Sequence, residues 1–226
     1  MGTYDYKKEI FEEKSFIFIY GCALRDAVLQ KSFVGDKTWI NNVTEAIVPV
    51  RTYIDLVLKG KLKTIEEHDK AFLDAAKDVC DKINEYKSRP AGAGIFHFGN
   101  AQKLLNMTVK HVYTHMYSIH SAKYDSIREN FRFCHCPLDQ EMMSNVWKDY
   151  GNTIGTKERK KALLSFDKFH KAWGNEDFGL DENSENKDTR TLPPRYMSFQ
   201  TAVRDIIEKQ KGDVFPIEYD FIKWKV

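Results

Sequence analysis

The chain has 226 residues, 42% hydrophobic and 30% charged, with a formal net charge of +2. That length supports one large domain or two small ones, and the charge balance excludes a chain that holds nucleic acid by total charge alone. Four cysteines (Cys22, Cys80, Cys134, Cys136) are too few for a disulfide framework here. With no signal-peptide h-region in MGTYDYKKEIFEEK and no run of about 18 apolar residues, the expectation is a cytoplasmic protein with reduced thiols and no membrane partner.

Residues 5–33 read as one helix with a wide apolar face that includes Phe16, Ile19, Tyr20, Ala23, Leu24 and Ala27. It stops near Val34-Gly35-Asp36. A second helical region carries Trp39, Ile40, Val43, Ile47, Val50 and Ile54, with Pro49 ending or kinking a helix inside it and Gly60 closing it. Thr64-Ile65-Glu66-Glu67 is a capping box, and the helix after it runs to about Tyr86 with Phe72, Ala75, Val79 and Ile83 inward. A connector with Gly92, Gly94 and Gly99 leads to a strongly helical run in which Leu104, Leu105, Val109, Val112 and Met116 recur.

The spacing predicts a start at Asn100 as N-cap, with free backbone N–H groups suited to a phosphate. Lys103 falls in that first turn, where the helix dipole disfavours a cation. After a charged segment, Pro137 keeps His135 and Cys136 out of regular helix, and Asp139 caps a helix bearing Met142, Met143, Val146 and Trp147. Residues 156–173 read as a short helix. Gly174 to Pro194, polar, acidic and short of apolar residues, reads as a mobile surface loop or insertion. Ser198 to Lys211 is the last full helix, and DVFPIEYDFIKWKV packs back as a short helix or extended end. Six or seven helices and no strand ladder define an all-α class. The expected organisation is one compact helical domain, with two helical lobes around a helix-hairpin-helix-like element as a variant.

The candidate catalytic residues are Lys103 and Asp139. A glycine-bearing hairpin ending at Gly99, then Lys103 near a helix start, then Asp139 after Cys136-Pro137-Leu138 resembles the helix-hairpin-helix DNA glycosylases. The proline-led, Trp-bearing end Phe215-Pro216 to Trp224 is similar to that of the archaeal 8-oxoguanine branch. The resemblance implies an enzyme that flips a modified base out of DNA and breaks its N-glycosidic bond, in repair or in defence against modified DNA. Asp139 would stabilise oxocarbenium charge on the sugar, and the Lys103 amine would attack C1′. No cofactor and no metal enters that chemistry.

Expected DNA contacts are Gly94, Gly99, Asn100, Lys110, Arg128, Arg132, Lys160 and Lys161, on the hairpin and on two basic stripes. Solvated helix faces are the bland alternative for such stripes. Trp39, Phe96, Phe98 and Trp224 are candidates for the wall on which the flipped base stacks. Two other constellations compete. Arg128 and His135 have the R-x6-H spacing of a HEPN-type RNase, with arginine as charge stabiliser and histidine as acid or base. His111, His115, His120, Cys134, His135 and Cys136 are zinc-capable types, but Cys-His-Cys is poor chelate spacing. A non-catalytic helical module that binds nucleic acid or a partner, with Lys103 touching only phosphate, is the third reading.

Overall fold

The computed structural model describes residues 2–28, 38–119, 127–157, 176–182 and 188–223. Among them the α-helices are α1 (Gly2–Val28), α2 (Ile47–Leu58), α3 (Ile65–Asn84), α4 (Phe98–Ile119), α5 (Gln140–Thr153), α6 (Pro194–Gln210) and α7 (Pro216–Lys223). Short 3-10 turns at Thr38–Asn42, Thr44–Ala46 and Glu129–Phe131 join them. The only extended pairing among the described residues is a two-residue antiparallel ladder, Gly179–Leu180 against Arg190–Thr191. The all-α reading holds, and that ladder lies in the stretch expected to be a loop.

Local chemistry sets the boundaries. Pro49 sits in the first turn of α2, where its missing N–H leaves no helical bond unmade. It marks a helix start, not an end. Gly60 takes φ +58° just past α2, and a Cβ there would meet Asn130 Oδ1 at 2.5 Å. Asn130 donates to the Leu58 carbonyl at 3.0 Å, so the α2 end and the 127–133 segment are locked together. Thr64 caps α3 by accepting from the Glu67 N–H, as the capping box requires, and the helix ends at Asn84.

α4 is the organising helix. Between Phe98 and Tyr113 only Lys103, Met107 and His111 are not buried, and a helix covered on nearly every side belongs to the interior. It packs on α1 and α3 and also touches α2. Burying Leu104, Leu105, Val109 and Val112 contributes about 1.5–3 kcal/mol per side chain. α5 packs against α6, and α7 closes over both. Phe215, Ile217 and Tyr219 are buried, so the C-terminal stretch does pack back, as a short helix. The expected 156–173 helix lies almost entirely outside the described residues. No described helix is long and apolar enough to cross a membrane.

Candidate functional site

Helix α4 does not begin where the sequence suggests. It starts at Phe98, one residue past His97, and Asn100 reaches back so that its Oδ1 accepts from the His97 N–H at 3.1 Å. The Asn100 amide also donates to the Ala27 carbonyl of α1 at 2.9 Å. The backbone N–H of Gly99 donates to Glu176, and those of Asn100 and Ala101 to His97. The amides expected to cradle a phosphate are therefore occupied by the chain itself, and Gly99 and Asn100 are buried. Gly94 gives its carbonyl to Arg89, which clamps the connector through Asn84, Ala93 and Gly94.

Lys103 consequently lies in the second turn of α4, away from the strongest part of the dipole. Its Nζ stands 2.9 Å from Asp139 Oδ2. Asp139 caps α5, its other oxygen accepting from the Met142 N–H at 2.9 Å. One carboxylate thus holds a helix N-terminus and an amine at once. Burial pulls its carboxyl up, but the Lys103 ammonium and the Met142 N–H outweigh it and leave it below the ordinary carboxylate range. The lysine side chain is 12% exposed and the aspartate 48%, so the pair is open from the carboxylate side. Two residues thirty-six apart in sequence meet because Gln102 donates to the carbonyl of Leu138 at 3.0 Å, fixing α4 against the approach to α5.

Other expected contacts are engaged elsewhere. Lys110 is buried, ion-paired to Asp220 of α7 and 4.8 Å from the centre of the Phe221 ring. Arg128 holds Glu218 through two nitrogens, reaches Asp213, and lies 4.2 Å over Phe215. Both bind the C-terminal segment to the body and are not presented to DNA. Arg132 is exposed beside Glu129. Lys160, Lys161 and Trp224 lie outside the described residues, as does His120.

Trp39, Phe96 and Phe98 are core side chains, not the wall of an open pocket. Trp39 stacks on Tyr86, and Phe98 meets Phe178 and Tyr196 edge-on. A groove of about 640 Å³ does exist between α1 and α4, but Phe18, Ile19, Cys22, His111 and His115 line it, two turns beyond Lys103.

The competing constellations do not assemble. His135 is fully buried between Asp69 and Tyr196, while Arg128 faces the acidic groups of the C-terminal segment. Among the described residues His111, His115, Cys134 and Cys136 form no metal-capable group, and the cysteines are free thiols. His135 instead joins His68 and Asp69, two residues the sequence reading passed over. The signal was present: His68 is four residues before Phe72, on the inward face of α3.

Comparison of the chain with protein-family models, curated proteins and solved structures returns no match.

Proposed function

We propose that the chain is a DNA glycosylase-like enzyme that breaks the bond between a modified base and its sugar, with Lys103 and Asp139 as the reacting pair. The observation that carries this is the 2.9 Å approach of the Lys103 amine to a half-exposed carboxylate. An amine beside a half-exposed carboxylate suits a sugar whose C1′ becomes cationic as the base departs. The C1′–N bond breaks with its electron pair leaving on the base. Asp139 stabilises the oxocarbenium charge on the sugar. The Lys103 ammonium gives its proton to the departing base, and the resulting amine adds to C1′; the C1′–O4′ bond then breaks, O4′ taking a proton from the nitrogen to become a hydroxyl, which leaves a Schiff base between C1′ and the lysine. Strand cleavage by β-elimination then follows from that adduct. If water attacks in place of lysine, an abasic site remains.

The test is borohydride trapping on single- and double-stranded DNA carrying damaged bases. A covalent adduct is expected for the wild type and is lost in Lys103→Ala. Equal trapping in the two proteins would remove Lys103 as the nucleophile.

A further inference from the structure

Behind the Lys103–Asp139 pair lies a cluster that the proposed chemistry does not use. His68 and Asp69 are neighbours in α3, and His135 comes from the extended segment before α5. His135 Nε2 is 2.8 Å and His68 Nδ1 3.6 Å from the same oxygen, Asp69 Oδ1. One nitrogen from each imidazole and one carboxylate oxygen all lie within 4.8 Å of one another. A tetrahedral zinc with bonds near 2.0–2.2 Å separates its ligands by about 3.4 Å.

The far nitrogens are anchored. Tyr53 Oη is 2.7 Å from His68 Nε2, and Tyr196 Oη is 2.8 Å from His135 Nδ1. Asn106 fixes Tyr196 in turn, and Gln102 fixes Asn106. Hydrogen bonds on the far side of each ring orient histidines around a metal ion, and His135 Nε2, which donates to Asp69 Oδ1 at 2.8 Å, would give up that proton as it ligates. His68 Nδ1 is buried and aimed at the carboxylate, but at 3.6 Å from Asp69 Oδ1 it is beyond ordinary hydrogen-bond length and poorly satisfied. Leaving such an atom unsatisfied costs about 1–3 kcal/mol.

We propose that His68, Asp69 and His135 form a three-ligand site for a divalent transition metal, zinc in the first instance. Arg204 Nη2 stands 3.7 Å from Asp69 Oδ1 and has no hydrogen-bond partner. It is the cation that balances the carboxylate when no metal is bound, and it must withdraw when one binds. Arg204 and Asp69 are 21% and 19% exposed, so the entry path and the fourth coordination position lie on their side.

The experiment is equilibrium dialysis of the full chain against zinc, with metal analysis, and a thermal melt with and without zinc. One zinc per chain and a raised melting temperature are expected. Cobalt(II) provides a visible spectrum reporting nitrogen and oxygen ligation. Asp69→Asn and His68→Ala lose stoichiometric zinc and the zinc-dependent shift in melting. Tyr196→Phe binds about 10-fold more weakly or worse. Arg204→Gln, which removes the competing cation, binds more tightly. Because His135 is fully buried and its variants can fail to fold, the partly exposed Asp69 and Arg204 carry the decision. No saturable zinc in the wild type would overturn the proposal. Stoichiometric zinc that survives Asp69→Asn would also overturn it, by placing the ion elsewhere.

Discussion

Two lysines seven residues apart on the central helix each meet a carboxylate, and the two pairs differ in what surrounds them. Lys110 and Asp220 are both 8% exposed, whereas Lys103 and Asp139 are 12% and 48% exposed. In the inner pair, burial pushes the Asp220 carboxyl above the ordinary carboxylate range although Lys110 pulls against it. In the outer pair, charge and hydrogen bonding win over burial, and Asp139 stays below that range. The inner pair fastens α7 to α4. The outer pair keeps a carboxylate that water or a substrate can reach. What separates the two Lys–Asp contacts is the solvent access of the acid, 48% at Asp139 against 8% at Asp220.

The largest loss of stability is expected at the inner pair. Lys110→Ala leaves a carboxylate buried without its cation and is expected to cost about 3–5 kcal/mol in urea denaturation. Replacing both partners, Lys110→Met with Asp220→Leu, should return most of that loss, because no buried charge is left behind. A single substitution as mild as a surface change would show that this pair is not a lock.

At the outer pair the expected losses are smaller. Asp139→Ala removes the cap of α5 and should cost about 1 kcal/mol, while Asp139→Asn keeps a capping side chain and costs less. Base release separates the two effects, since both variants should lose it. The pH dependence has a fixed sign. Asp139 has a depressed pKa in the folded protein, so its ionised form stabilises the fold above about pH 4, and that contribution disappears as pH falls through the folded value. The stability gap between wild type and Asp139→Ala should therefore narrow in acid, read from melts at pH 7 and pH 3.

Lys103→Arg is the smallest perturbation of stability and the sharpest of function. It keeps a cation beside Asp139, is expected to change unfolding by less than loss of the α5 cap does, and presents no amine able to form a Schiff base. Retained trapping in Lys103→Arg would put the nucleophile elsewhere.

What the sequence revealed was mainly what local spacing encodes. The apolar periodicity of α3 and α4, the Thr64 capping box, Gly60 and the Asp139 cap are all interactions within a few residues. The residues misread from sequence depend on partners far along the chain. Lys110 reads as one cation of a surface stripe, but its carboxylate is 110 residues away. Arg128 likewise answers to Glu218, 90 residues on. Asn100 has the right chemistry for a cap, yet it serves from inside the helix, because Ala27 of α1 draws its amide inward. The aromatic candidates failed for a related reason. Trp39, Phe96 and Phe98 are equally suited to stacking a base and to filling a core, and only tertiary packing separates the two uses.

The most direct measurement is release of free base from DNA under single-turnover conditions, followed by chromatography across a panel of damaged bases, for wild type and Asp139→Asn. Release of at least one base by the wild type is expected, with a loss of about 100-fold or more in the variant, the size that follows when one stabiliser of developing charge is removed. Release at an unchanged rate by a folded Asp139→Asn protein would contradict it.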